Sequence, residues 1–315
     1  MLHGNSSVGG ASVADEVMGL GGAKTADEML QIAGLDWKVG AYPMTIQRGG
    51  KGAAVPNHHA IVREDNGVVL GVQTRHWTPI QNTEAFRPVD DLVRAGEARY
   101  TGGGIIDGGA RVWVRVALNR QGDVTVGDVV RGNLFFVNGH DGGCASRGVE
   151  QFERLVCLNG MTSAESLRMF SRRHVQSITS AQVAGEVRSA MERSLAGFGR
   201  ALAAYRALVK KRMTEEAARA FVRSLFPAPK PEAKIAQRNL DAKVDAILHA
   251  ALTSPGHDLP GVRGTAWGLL NGVTYYVDHV RGAEGRDEST AVKQNVLGDG
   301  AKLKTSAMQR LLATV

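Results

Sequence analysis

The stretch Arg111-Val112-Trp113-Val114-Arg115-Val116-Ala117-Leu118-Asn119 alternates in polarity with a period of two. Val112, Val114, Val116 and Leu118 fall on one side, while Arg111, Trp113 and Arg115 fall on the other. This is the pattern of a strand that buries one face. Arg99–Ile106 is expected to pair with it across Asp107-Gly108-Gly109 as a hairpin. A second hairpin is predicted at Asn66-Gly67, between Ala60–Arg63 and Val68–Val72, because both turn residues tolerate positive φ. Further strands are expected over Asn133–Asn138, leading into the loop Gly139–Gly143, and over Gln151–Leu158. Thr25-Ala-Asp-Glu28 spells a capping box that opens a helix through Met29, Leu30 and Ile32 and stops at Gly34. Thr83–Ala95 also reads as helical, with Pro88 limiting its first turn.

After residue 165 the period changes. Val183, Val187, Met191, Leu195, Phe198, Leu202, Tyr205 and Val209 recur at steps of four or three. That is one apolar stripe on a helix of about 30 residues, roughly 45 Å long. Pro227, Pro229 and Pro231 then break the chain, and helices are predicted over Asp241–Leu252, Thr265–Val280 and Leu303–Leu312. The expected class is therefore α+β. A twisted antiparallel sheet with short helices comes first, then a helical C-terminal half built around one long basic helix. Residues 1–24, rich in Gly, Ser and Ala, read as a flexible arm, 25–165 as the sheet domain and 166–315 as the helical region.

The chain has 315 residues, 43% of them hydrophobic and 22% charged, which excludes wholesale disorder. No apolar run reaches the roughly 18–20 residues needed to span a bilayer, and the first residues carry no secretory pattern. Two cysteines make no disulfide framework, so a reduced, cytoplasmic chain in a bacterial host cell is expected, with no membrane partner. The net charge of +7 is not spread evenly. Residues 1–167 carry 15 basic and 18 acidic side chains, net −3. Residues 168–226 carry 12 and 4, net +8, and residues 227–315 carry 11 and 9, net +2.

Three groups of residues bear on function. The basic segment places Arg168, Arg172, Arg173, Arg188, Arg193, Arg200, Arg206, Lys210, Lys211 and Arg212 on or just before the long helix. Such cations neutralise phosphates and release counterions, and they also serve as the solvated side of an amphipathic helix. The Arg111, Trp113 and Arg115 face matches the cation-and-aromatic surface that holds single strands, or else a sheet face covered by a helix. The cluster Asn138-Gly-His140-Asp141-Gly, with Arg154, Cys157 and Asn159-Gly160 beyond it, reads either as a general-base arrangement or as turn chemistry. The remaining histidines form no i, i+4 pair on a helix, and no HExxH, phosphate loop or GxSxG is present. No metal site and no cofactor is expected.

With these residues in view, the chain resembles the phage- and plasmid-borne members of the family called domain of unknown function 932. The landmarks are Gly34-Leu-Asp-Trp37, Ala60-Ile-Val-Arg-Glu-Asp-Asn-Gly67, Thr78-Pro-Ile-Gln-Asn82 and Asp107-Gly-Gly-Ala-Arg-Val-Trp113. They continue through Asn138-Gly-His-Asp-Gly142, Arg154-Leu-Val-Cys-Leu-Asn159, Arg173-His174, Asp258-Leu-Pro-Gly-Val-Arg-Gly-Thr-Ala-Trp267 and Asp278-His279. The resemblance implies a role in the biology of mobile elements and no settled activity. A β-hairpin sheet followed by a basic helix is also broadly similar to single-strand annealing proteins.

The leading expectation is a DNA-binding protein that favours single strands and acts in annealing, recombination or replication of a mobile element. Arg111, Trp113 and Arg115 would meet bases and backbone, and Arg172, Arg173, Arg188 and Arg200 would hold phosphates. One alternative is an enzyme acting on nucleic acid or a nucleotide through His140, Asp141, Arg154 and His174. Another is an oligomeric assembly protein that packs the Val183–Val209 stripe against a second copy.

Overall fold

The structure is a computed structural model that describes residues 20–144, 146–161, 170–172 and 180–315. Thr25 opens α1 (Ala26–Ala33) as expected: its hydroxyl accepts from the Glu28 N–H at 3.2 Å, and Gly34 closes the helix in the left-handed region. The Glu28 carboxylate reaches back one residue further, to the Lys24 N–H at 2.7 Å. Leu20 and Ala23, within the segment read as an arm, are buried in the same core as α1. Residues 1–19 lie outside the described residues.

The predicted single sheet is two sheets. β1 (Val39–Arg48), β2 (Lys51–Arg63) and β3 (Val69–Thr74) form a small antiparallel sheet, with Gly67 at positive φ in the β2–β3 loop. The helical stretch after it is split by Pro88 into α2 (Asn82–Phe86), a 3₁₀ turn at Arg87–Val89 and α3 (Asp90–Arg94). The main sheet runs in chain order through β4 (Ala98–Ile106), β5 (Arg111–Thr125), β6 (Asp128–Gly139), β7 (Ser146–Arg154) and β8 (Asn159–Met161). β9 (Phe170–Arg172) pairs with the start of β7. Trp113 lies opposite Val137 and Arg115 opposite Phe135, so the alternation read from the sequence is the observed register.

The helical half comprises α4 (Ser180–Lys210), α5 (Glu215–Ser224), α6 (Lys234–Thr253), α7 (Ala266–Tyr275), α8 (Glu288–Asn295) and α9 (Asp299–Leu312). α4, at 31 residues, matches the length expected from its stripe. Each face of the main sheet is covered. Val112, Val114, Val116 and Phe136 pack with Met29, Leu30 and Phe86 from the N-terminal helices. Further along the sheet, Val130 and Phe152 meet Tyr205 and Leu208 of α4 and Trp267 and Leu270 of α7. On the reverse face, Trp113, Phe135 and Val149 pack under Val292 of α8 and Val296 just after it.

One buried ion pair joins sheet to helices. Arg154, with no exposed surface, donates through Nε and Nη2 to both oxygens of Asp128, at 2.5 and 2.9 Å. The Trp267 indole N–H donates to the same carboxylate at 2.8 Å. The guanidinium also donates to the main-chain oxygens of Pro255 at 3.2 Å and Gly256 at 2.8 Å. Gly256 is at φ +77, and a Cβ there would sit 2.8 Å from Arg154 Nη2, so only glycine fits so close an approach. Asp128→Ala is expected to cost about 3–5 kcal/mol by stranding the buried guanidinium. Urea unfolding checks this, and a stability within about 1 kcal/mol of the parent contradicts it.

Candidate functional site

The face expected to stack bases is closed. Trp113 is 1% exposed, and its indole N–H donates to Ser289 Oγ of α8 at 3.1 Å. β4 makes room for this ring with glycine: a Cβ at Gly104 would lie 2.8 Å from Ser289 Oγ and 3.0 Å from Trp113 Nε1. Arg115 donates to Thr101 Oγ1 and to the Thr101 carbonyl, each at 3.1 Å, and pairs with Glu288 at 3.5 Å. Arg111 pairs with Asp141 at 3.0 Å. The expectation of an open single-strand platform is therefore corrected to a packed interface. The reason is tertiary: alternation shows that residues share a face but not what covers it, and the cover comes from α8, a helix outside those predicted.

Of the catalytic alternative, His140, Asp141 and Arg154 are turned to separate partners. His140 is wholly buried; its Nε2 lies 3.0 Å from Asn82 Oδ1, and its ring stands 5.5 Å from Trp37. Asn138 donates to the Ile80 carbonyl at 2.9 Å and accepts from Ser146 Oγ at 2.6 Å, while Asn82 donates to the Leu35 carbonyl at 3.0 Å. This network locks the Leu35 and Ile80 loops onto the end of β6. Asp141 turns the other way, toward Arg111 and the N–H groups of Gly143 and Cys144, at 2.8 and 3.2 Å. Arg154 is committed to Asp128. His174 lies outside the described residues.

A polar cluster that the sequence pattern does not reveal lies where α7 ends. The last turn widens, with the Arg281 N–H donating to the Tyr276 carbonyl at 2.7 Å, a five-residue step of a kind frequent at functional sites. The turn aims Asp278 inward to accept from the Gly160 N–H at 3.0 Å and from Lys304 Nζ at 2.9 Å. The Lys304 side chain is 1% exposed, so the pair ties β8 to α9. Cys157 stands nearby, and burial pushes its thiol above the ordinary range. Burial likewise raises Cys144. Nothing in the spacing Asp278…Lys304 signals a contact between two helices, which is why Lys304 is not a candidate on sequence grounds.

The basic segment, by contrast, faces solvent along much of α4. Arg188, Arg193, Arg200, Arg206 and Lys210 are all exposed, while Tyr205 and Leu208 point into the core. Arg188 pairs with Asp91, and both groups are more than half exposed. Arg206 donates twice to the Asp123 carbonyl, at 2.7 and 3.0 Å. Arg200 and Lys210 have neither an ion pair nor a hydrogen bond among the described residues. The side chain of Arg172 and all of Arg168 and Arg173 lie outside the described residues, as do the side chains of Val183, Val187, Met191 and Leu195. Among the clefts formed by the described residues are two that are not strongly signed. One, of about 760 Å³, lies between the β4–β5 turn and the starts of α8 and α9, and sets Arg281 and Lys293 against Asp107, Asp287 and Asp299. The other, of about 460 Å³, lies between α5 and α6 and is lined by Met213, Leu248, Leu252 and Leu269. Among the described residues no group of three His, Cys, Asp or Glu could hold a metal ion, and no helix is long and apolar enough to cross a membrane.

The profile described as "Domain of unknown function (DUF932)" matches residues 69–302, from β3 into α9. The chain belongs to the DUF932 family. Neither the curated proteins nor the solved structures contain a match to it. The matched region of this DUF932 protein contains the whole main sheet and the Arg154 pair, and it ends just before Lys304.

Two outcomes follow from the burial. Trp113→Ala is expected to lose about 3–5 kcal/mol in denaturant unfolding, as a core tryptophan does; a loss under about 0.5 kcal/mol would mean an open face. Neither thiol is expected to react with a charged aromatic disulfide at about pH 8 in the native protein, and both should react in urea. Rapid native labelling contradicts that.

Proposed function

We propose that this DUF932 protein binds nucleic acid along the exposed side of α4, chiefly through phosphates. The supporting observation is the row of exposed cations on a helix whose opposite face is packed into the protein from Phe198 onward. From Arg188 to Lys210 the helix runs about 33 Å, the length of roughly ten phosphates at about 3.4 Å per strand. Between these two residues stand Arg193, Arg200 and Arg206 against a single acid, Glu192. A merely solvated face would mix the signs more evenly. Arg172 and Arg173, just upstream in the chain, belong to the same proposal on their charge alone.

With Trp113 under α8, no exposed ring stands among the described residues of this helix face. The contact is read as electrostatic and indifferent to base sequence, and single-strand preference is no longer part of what supports it. A place in the recombination or replication of a mobile element belongs to the same proposal, and rests on the family resemblance. The N-terminal half of the α4 stripe is what an assembly role would use; from Phe198 onward the stripe is taken up inside the protein.

Fluorescence anisotropy with a labelled 40-mer tests the reading. Binding is expected at low salt, with log Kd rising linearly against log salt. Arg188→Gln, Arg200→Gln and Lys210→Gln together should reduce that slope by about 2–3, close to one for each phosphate left without its cation. Absence of binding at about 50 mM salt, or a slope unchanged in the triple variant, overturns it.

A further inference from the structure

The β1–β2 hairpin runs beyond the sheet it belongs to. β3 pairs with β2 only from His58 to Val62, and the β1–β2 ladder breaks its register after Pro43↔His59. It resumes at Thr45↔Ala54 and continues through Ile46↔Ala53 and Gln47↔Gly52 to Arg48↔Lys51. This outer part is a two-stranded ribbon without a third strand. Its residues are exposed on both faces, save for half-buried Met44 and Val55, and Ile46 is 54% exposed. Two free strands are marginally stable in water by themselves. A ribbon of this kind gains most from a partner that grips both faces at once.

The charge of the ribbon selects the partner. The outer ribbon, residues 43–55, holds Arg48 and Lys51 and no Asp or Glu, inside a half of the chain that is net negative. At the tip, Gly49 and Gly50 both take positive φ, which fixes a two-residue turn and sets Arg48 directly opposite Lys51. Like charges held opposite each other across a hairpin are destabilising, and no acid on the ribbon offsets them. A phosphate between the two side chains turns that repulsion into attraction.

The dimensions favour a double helix over a single strand. From Pro43 to Arg48 the ribbon extends about 17 Å at roughly 3.4 Å per residue. The major groove of B-form DNA is roughly 12 Å wide and 8.5 Å deep and admits a two-stranded ribbon. Gly49, Gly50, Gly52, Ala53 and Ala54 keep the tip and one strand slender. We infer that the β1–β2 ribbon inserts into a groove of duplex nucleic acid, Arg48 and Lys51 bridging its phosphates, while α4 holds the backbone elsewhere. This rests on the phosphate-binding reading of α4 and names its substrate as double-stranded.

The test uses the full-length protein and the variant Arg48→Ser/Lys51→Ser, whose changes sit on exposed turn flanks. Anisotropy is measured with a duplex of about 30 base pairs and with one of its strands alone, at roughly 50–200 mM salt, and sedimentation velocity reports mass. The variant should bind the duplex at least about fivefold more weakly at roughly 100 mM salt, with a slope shallower by about two and single-strand binding unchanged. Unaltered duplex binding overturns the ribbon's role and leaves the α4 reading standing. An equal loss on both ligands also overturns it, because the tip would then be unselective charge. A parent dimer that becomes monomeric in the variant, with duplex affinity kept, overturns it as well and assigns the ribbon to a second copy of the chain. A parent that binds neither ligand removes the α4 reading and the ribbon inference together.

Discussion

The enclosed guanidinium of Arg154 constrains the structure more than any other group. A charge held away from water must find a partner for every donor, and a guanidinium has five N–H groups in a fixed plane. Nε and one Nη2 hydrogen meet Asp128, the second Nη2 hydrogen meets the Gly256 carbonyl, and Nη1 meets the Pro255 carbonyl, with Cys157 Sγ at 3.7 Å. These acceptors come from separate parts of the chain. Satisfying the ion therefore fixes the end of β7, the start of β6, the turn before α7 and, through Trp267, α7 itself. The apolar packing of Tyr205 against Trp267, with ring centroids 5.0 Å apart, then brings α4 onto the same sheet end.

The second polar network works at the other end of β6 by the same logic with neutral groups. His140, Asn82 and Asn138 bond to one another and to two loop carbonyls, and the cation of Arg63 lies 4.3 Å over the Trp37 ring beside them. Residues that look like catalytic candidates in a sequence are here the means by which irregular loops are held against a sheet. Buried polar side chains are costly unless paired, so the same residue types recur wherever a loop carbonyl must be enclosed.

Much of the architecture is legible in the residue pattern alone. Strict alternation in Arg111–Asn119 marks the strand and its two faces, and the 3.6-residue stripe marks α4. The gaps have physical causes. β5 continues through Arg120-Gln-Gly-Asp, a polar run with no alternation, because Leu202 of α4 packs on Gly122 and Arg206 binds the Asp123 carbonyl. The outer part of β1 and β2 has no apolar face to reveal it. Trp113 and Arg115 share one face as the pattern requires, yet their cover lies 176 residues downstream at Ser289. Local pattern carries direction; it does not carry the identity of a distant neighbour. The exposed cations of α4 are legible because charge excess survives whatever the tertiary contacts are.

The chain order of the main sheet has a consequence for how the molecule assembles. β4 to β7 follow one another as neighbouring antiparallel strands, so their contacts close over short loops and can form early. Asp128 and Arg154 meet within that early meander, but Trp267 reaches Asp128 across 139 residues and the carbonyl of Gly256 reaches Arg154 across 102. During synthesis, the sheet must therefore wait, with one ion pair half-enclosed and the Phe152 and Trp113 faces wet, until the last third of the chain has left the ribosome. The molecule is fastened from its C-terminal end, and a chain cut short before α7 leaves the Trp113 face of a finished sheet uncovered and the Arg154 pair without its indole partner.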